Sequence, residues 1–140
     1  LNNKFLNPFM ESIRKKYICK KQIKKGISGT KELLLNFKKG TSIALMIDQR
    51  VSEGIRVDLF NEKALTTTIP AQFIKKFGAK IIPVHIERIN VEKFNITFQD
   101  PIKFSKDSNI ESITYKLNNI LEEMIKKNPS QWIWSHNRWK

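Results

Sequence analysis

The stretch SIALMIDQR, residues 42–50, decides the fold that the sequence predicts. Its first six residues are uncharged and mostly apolar on both alternating faces, which is typical of a strand buried in a parallel sheet. Asp48, Gln49 and Arg50 follow directly. Because ligands of open α/β sheets bind beyond the carboxyl ends of the strands, this position favours a substrate site. A surface turn is the alternative interpretation of the same three residues.

Helical and strand patterns alternate on both sides of this stretch. Apolar spacing predicts helices over residues 8–18, 30–39, about 69–77 and about 110–127, with a break at Gly26 and Gly29 before the second. Strands are predicted over residues 42–47, 79–86 and 93–98, and residues 51–63 are predicted as a loop with some extended character. Pro83 indicates a strand end or a bulge, because proline cannot donate a ladder hydrogen bond. The order predicts one α/β domain over residues 1–140, with a mixed, mostly parallel sheet flanked by helices.

The charge is strongly basic and unevenly distributed. Of the net charge of +13, +9 lies in the first 50 residues, which hold 12 basic and 3 acidic side chains. Such an excess favours an anionic partner, which includes nucleic acid, anionic lipid headgroups and phosphorylated substrates. Compositional drift toward lysine is the alternative explanation. No apolar run approaches the ~20 residues that cross a bilayer.

The C-terminal tail, QWIWSHNRWK over residues 131–140, holds all three tryptophans of the chain together with His136 and Arg138. Tryptophan has a large apolar ring with one N–H that needs a partner, and arginine binds phosphate or packs on aromatic rings. The composition therefore fits a docked segment at a substrate site or a membrane interface. A cap on the core with its cations in water fits equally well.

The remaining polar candidates are weaker. Thr66, Thr67 and Thr68 precede a helix, where their groups either bind an anion or cap the helix. His85 lies inside a strand pattern and is predicted to be structural. A lone Cys19 and the absence of metal-ligand spacing predict no disulfide, no metal and no cofactor.

Taken together, these features resemble the bacterial lipid A biosynthesis acyltransferases, the lauroyl and myristoyl transferases. The resemblance runs from Asn7-Pro8 through the strand ending in Asp48-Gln49 to the closing string NPSQWIWSHNRWK, which is its most specific part. It implies transfer of a fatty acyl group from acyl carrier protein to a hydroxyl of a lipid A precursor. It also implies a bacterial inner-membrane location on the cytoplasmic side, with an anchor helix upstream of this chain.

The family's general base is a histidine followed, after four residues, by a carboxylate. At the corresponding distance from His85 stands Asn90, and the chain ends before such a pair forms with His136. Since the chain begins with Leu1, we expect it to be the C-terminal portion of an acyltransferase with the catalytic pair upstream. No catalytic residue is therefore assigned in this chain, and alone it is expected to be inactive.

The resemblance places the chain on the substrate side of the reaction. It implies that Asp48 and Gln49 face the acceptor and that Arg14 helps to hold a phosphate or the acyl donor. The predicted substrate-binding residues are Arg14, Asp48, Gln49, Arg50, Thr68, His136 and Arg138. The expected partners are acyl carrier protein, a lipid A precursor and an anionic membrane surface. A basic nucleic-acid-binding module and an inactive acyltransferase remnant are the alternatives.

Overall fold

The computed structural model describes residues 4–23 and 26–140, apart from the side chain of residue 27. Two lysines of the basic stretch, at 24 and 25, therefore lie outside the described residues. The chain divides into two compact units, Leu1–Ala44 and Leu45–Lys140. The elements in chain order are α1 Leu6–Tyr17, α2 Ile27–Lys38, β1 Ile55–Leu59, β2 Glu62–Thr66, α3 Ile69–Phe77, β3 Val84–Arg88, β4 Phe94–Phe98 and α4 Ile110–Lys127. Two 3₁₀ turns follow, Pro129–Gln131 and Trp134–His136.

The first unit consists of α1 and α2. Arg14 lies among the basic residues in the last turn of α1, where cations interact favourably with the helix dipole. In α2 the buried Asn36 accepts a hydrogen bond from the ammonium of Lys21 and donates its own amide to the Glu32 carbonyl. This polar contact ties the segment after α1 to the middle of α2. Gly40 follows α2 with φ 81°, a left-handed conformation that glycine adopts without strain.

The second unit is organised by an antiparallel hairpin of β1 and β2, which pair Ile55 with Thr66 and Leu59 with Glu62. Its two turn residues, Phe60 and Asn61, both have positive φ, at 54° and 61°. Such turns match the right-handed twist of the flanking strands and close tight hairpins. The hairpin buries one face, since alternate residues of each strand point to the same side.

The core of the second unit forms where α3 and α4 pack together. Ala71 of α3 is buried against Ile113 and Leu117 of α4. The next shell of partly buried apolar residues comprises Ile47, Ile74, Ile81, Ile102 and Phe104. Helix α4 is capped by Asn109, whose side chain accepts a hydrogen bond from the Ser112 amide at 2.8 Å. This N-cap confirms the start that the sequence predicted.

A second antiparallel hairpin, β3 with β4, exposes an apolar face. The pairs Val84–Phe98 and Ile86–Ile96 lie side by side, and Phe98 is 72% exposed. The sequence correctly placed the alternate residues of β4 on one face. The outer edge of β3 contacts the tail, because the Gln131 side chain accepts from the Arg88 amide and donates to the Arg88 carbonyl, both at 2.8 Å.

The prediction of a mostly parallel sheet is wrong, although the mixed α/β class is confirmed. In the described part of the chain, the strands form two two-stranded antiparallel sheets. Each strand pairs with its neighbour in sequence through a short turn, rather than through a helical crossover as parallel pairing requires. Residues 51–63, predicted as a loop, contain β1 and the start of β2.

Two predicted strands also differ from the structure. Residues 42–47 run in no ladder within the described part of the chain, so the apolar run supplies packing from Ile47 rather than a strand. The strand predicted over 79–86 begins only at Val84, directly after Pro83, and is not buried. Pro83 marks a strand end, as predicted. The predicted helices are present, but α2 begins before Gly29 and includes it.

Truncation of the hairpin core should destabilise the protein strongly. Leu59 is fully buried in β1, so Leu59→Ala is expected to lower the free energy of unfolding by about 2–5 kcal/mol. Val91 is 84% exposed, and Val91→Ala should change it by no more than about 0.5 kcal/mol. Urea unfolding followed by circular dichroism measures both. Equal losses in the two variants would contradict the assignment of this core.

Candidate functional site

The candidate site is the loop of residues 48–54 together with the segments that hold it. Asp48 is half-buried, whereas Gln49 and Arg50 are exposed. At the far end of the loop, a Cβ added to Gly54 would lie 2.1 Å from the carbonyl oxygen of Thr66. No side chain fits at that distance, so glycine allows the loop to approach the end of β2. The loop is thereby fixed against the hairpin.

The hydroxyl of Thr66 lies at the centre of this contact. It donates to the Ala64 carbonyl at 3.2 Å and accepts from the Asn118 amide at 3.2 Å and from Arg138 Nη2 at 3.0 Å. A hydroxyl has one donor and two acceptor sites, so its capacity is fully used. Asn118 also donates to the Asp58 carbonyl at 2.9 Å, which attaches α4 to β1.

Arg138 is buried, with 1% of its surface exposed. Besides Thr66, its guanidinium donates to the carbonyls of Leu65 and Ile47, the latter at 3.5 Å. Burial lowers the pKa of Arg138 from its ordinary value, and the negative charge of Asp48 opposes that shift. The same Nη2 reaches Thr66 and Ile47, so the start of the loop and the end of β2 are joined through one nitrogen.

His136 makes the second contact between the tail and the loop. Its Nε2 accepts a hydrogen bond from the backbone amide of Arg50 at 3.0 Å. An imidazole that accepts at Nε2 is neutral and carries its proton on Nδ1. The bond occupies the backbone of Arg50 and leaves its exposed guanidinium available for other contacts.

The tail docks on the turn of the first hairpin through its aromatic side chains. The rings of Trp132, Trp134 and Trp139 lie with centroids 6.3, 5.9 and 6.5 Å from the ring of Phe60. Trp132 and Trp134 meet edge to face at 4.6 Å, and Trp139 Nε1 donates to the Leu59 carbonyl at 2.9 Å. Tilted and edge-to-face rings at these separations attract one another. The tail is therefore a docked segment, with Arg138 in the interior rather than in water.

Thr66, Thr67 and Thr68, for which the sequence left anion binding and helix capping open, make different contacts in the structure. The Thr67 hydroxyl accepts from the Ile69 amide at 3.3 Å, whereas the N-cap residue Thr68 makes no side-chain capping bond within the described chain. The Thr68 hydroxyl accepts from the Gln72 side chain at 2.9 Å. Thr66 is committed to its buried contacts. The hydroxyls of Thr67 and Thr68 thus both act as acceptors in these contacts.

The structure brings together five of the seven predicted substrate-binding residues, on the loop and on the tail that contacts it. Asp48, Gln49 and Arg50 belong to the loop, and His136 and Arg138 belong to the tail, where His136 is exposed and Arg138 is buried. Thr68 contacts Gln72 within α3. Arg14 belongs to the first unit and is described there alone.

The loop presents complementary polar groups. The Asp48 carboxylate accepts hydrogen bonds, the Gln49 amide both accepts and donates, and the Arg50 guanidinium donates in a planar fork that matches a phosphate. Among described residues, no group of histidine, cysteine and acidic side chains is arranged to hold a metal ion. His85 lies half-buried within β3, opposite Thr97.

Sequence reasoning missed Thr66 and Asn118 as organisers of the site. Asn118 is fully buried on the stripe of α4 that carries Ile113 and Leu117. A polar residue beside an apolar helical stripe is the signal that indicates such a contact, because buried amides need partners. Thr66 gave no signal that separates it from Thr67 and Thr68.

Comparison with known families identifies the family of the chain. The sequence model of the bacterial lipid A biosynthesis acyltransferases matches residues 1–140. The chain belongs to this family. A comparison with curated proteins gave no match. The match to the acyltransferase family confirms the resemblance on which the sequence analysis relied.

Membership of the lipid A acyltransferase family supports a transferase assignment for the chain. The family transfers acyl groups in lipid A biosynthesis, and this transferase assignment does not favour a nucleic-acid-binding module. None of the described helices combines the length and hydrophobicity of a bilayer crossing.

The contacts of Thr66 provide a test of how this acyltransferase chain holds its loop. Thr66→Val keeps the shape but leaves Asn118 and Arg138 without their shared acceptor, and should lower the free energy of unfolding by about 2–3 kcal/mol. Thr66→Ser keeps the hydroxyl and should cost about 1 kcal/mol, for one lost methyl group. Urea unfolding of both variants measures the difference. A serine variant as unstable as the valine variant would disprove the role of the hydroxyl.

Proposed function

We propose that this chain takes part in transferring a fatty acyl group from acyl carrier protein to a hydroxyl of a lipid A precursor. The reaction would take place at the cytoplasmic face of the bacterial inner membrane, in lipopolysaccharide biosynthesis. The observation that carries the proposal is the family match over the whole chain. The loop at Asp48, Gln49 and Arg50 supports it, because it offers polar and charged groups suited to a phosphorylated sugar.

In this proposal the loop residues bind the acceptor lipid. The Asp48 carboxylate accepts a hydrogen bond from a sugar hydroxyl, and Gln49 bonds a second polar group beside it. Arg50 binds a phosphate of the precursor through two parallel hydrogen bonds. Thr68 offers a hydroxyl at the start of α3. Arg14, on the first unit, supplies a further cation for a phosphate or for the acyl donor.

The chemical step is attack of the acceptor hydroxyl on the thioester carbonyl of the acyl donor. A new ester bond forms, the carbon–sulfur bond breaks, and the carrier's thiol leaves. A general base must take the hydroxyl proton, and this sequence contains no histidine with a carboxylate at the family's spacing. The residues of this chain therefore contribute binding and orientation of the acceptor.

The net charge of +13 supports the proposed partners. Acyl carrier protein is acidic, lipid A precursors carry phosphates, and the cytoplasmic leaflet is anionic. A basic surface accelerates encounters with all three, and such steering weakens as salt is added. Arginine contributes direction as well as charge, because its donors form a fixed fork.

Binding of the acceptor tests the proposal directly, since the chain lacks the catalytic pair. Titration with detergent micelles that contain a phosphorylated, acylated glucosamine disaccharide should change the fluorescence of the tail tryptophans. Arg50→Ala is expected to weaken this binding by roughly tenfold, the loss of one charged hydrogen-bonded contact. Lys127→Ala removes an equal charge from the exposed end of α4 and should change the affinity little.

The same titration with the dephosphorylated lipid is the second control. Equal affinity for both lipids would overturn the proposal that the chain recognises a lipid A precursor. Equal losses in Arg50→Ala and Lys127→Ala would leave only nonspecific attraction by charge, and would remove Arg50 from the site.

A further inference from the structure

Two residues of the tail contact the two ends of the same short segment. Arg138 Nη2 donates to the carbonyl of Ile47, and His136 Nε2 accepts from the amide of Arg50. Asp48 and Gln49 lie between these two anchor points. The anchors are far away in sequence, with 91 residues separating Arg138 from Ile47. The tail therefore holds the part of the loop that carries the polar groups at both of its ends. We call these two hydrogen bonds, from Arg138 to Ile47 and from Arg50 to His136, the bracket.

We propose that His136 and Arg138 are positioning residues, which bind no substrate themselves and fix Asp48 and Gln49 for the acceptor lipid. This inference rests on the proposed function. It replaces the sequence-based assignment of both side chains to substrate contact. Arg138 is 1% exposed, so a ligand cannot reach its guanidinium without opening the structure. The Nε2 of His136 is already occupied by the backbone of Arg50.

The physical reason is the freedom of a loop. Residues 48–54 lie outside the helices and strands, and strand pairing begins only at Ile55. In the part of the chain that the structure describes, the loop backbone therefore has no ladder hydrogen bonds to fix it. Each free residue loses backbone entropy when it is ordered, and this loss would weaken ligand binding. Bonds from a docked tail impose that cost during folding instead. The ligand then meets groups that are already arranged.

The tail is itself held independently of the loop. Trp139 donates to the Leu59 carbonyl, and the tryptophan rings pack around Phe60 at the hairpin turn. Gln131 bonds both backbone groups of Arg88 on β3. These contacts bypass residues 47–50 entirely. One tail side chain can therefore be removed from the bracket while the remaining anchors keep the tail docked.

The test compares three variants of the full 140-residue chain by amide hydrogen exchange and by the micelle titration. His136→Ala removes the acceptor of the Arg50 amide. His136→Gln places a side-chain amide at about the position of Nε2, and its carbonyl oxygen can accept the hydrogen bond from the Arg50 amide. Gln131→Ala is the matched control, because it removes two tail hydrogen bonds that go to β3 and not to the loop.

We expect His136→Ala to accelerate exchange of the Gln49 and Arg50 amides and to weaken lipid binding, each by roughly tenfold, while the tryptophan environment stays native. His136→Gln should recover part of both effects, and Gln131→Ala should leave both unchanged. A merely structural role would instead lower stability without changing the affinity of the folded protein. Circular dichroism below the unfolding transition confirms that each variant is folded.

Two results would overturn the inference. Unchanged exchange at Arg50 in His136→Ala would show that the bracket does not hold the loop, and faster exchange with unchanged lipid affinity would show that it positions nothing. Failure of the wild-type chain to bind the lipid would overturn the proposed function instead. In that case the exchange data still decide whether the bracket exists.

Discussion

The second unit of the chain depends on the burial of one guanidinium, that of Arg138. A buried arginine stays charged, so burying it is costly unless its donors meet acceptors inside the protein. The two terminal nitrogens of Arg138 donate to the Ile47 and Leu65 carbonyls and to the Thr66 hydroxyl, which belong to separate segments, whereas its Nε is buried without a hydrogen-bond partner among the described residues. The loop, the strand β2 and the tail consequently supply hydrogen-bond partners to one another. None of the three keeps its full set of hydrogen bonds if another moves away.

This dependence explains how a surface loop can be held in one conformation. Functional groups commonly lie on loops because scaffolds hold loops in place from beneath. Here the scaffold is assembled from β2, α4 and the tail, joined at Thr66 through Asn118 and Arg138. The apolar core at Ala71 and Leu117 stabilises the helices, whereas the polar contacts select one arrangement of the segments above it.

The helices were predictable, whereas the sheets were not. Apolar spacing and the caps at Asn109 and Gly78 located α3 and α4 closely. The first hairpin escaped prediction because its turn residues, Phe60 and Asn61, lack the asparagine–glycine pair that marks such turns. An apolar run such as residues 43–47 fits a parallel strand, an antiparallel strand or a packed extended segment, and only long-range pairing decides among them.

The substrate site at Asp48 stays a prediction, made because Asp48 follows an apolar run. The structure places residues 48–54 in a loop with Asp48 half-buried. Residue type suggested that His136 and Arg138 bind a ligand, but both side chains bond backbone groups, and Arg138 is buried. Burial depends on contacts between residues distant in sequence, such as Arg138 and Ile47, and composition does not reveal them.

The side chain of Gln131 has one more consequence. Its amide bonds the N–H and C=O of Arg88 as the backbone of a neighbouring strand would, and it does so on the edge of β3 that faces away from β4. Open sheet edges invite pairing with strands of other molecules. A single amide side chain thus seals the carboxyl end of β3, and any strand added to this hairpin by β-augmentation has to stop short of Arg88 or displace the tail.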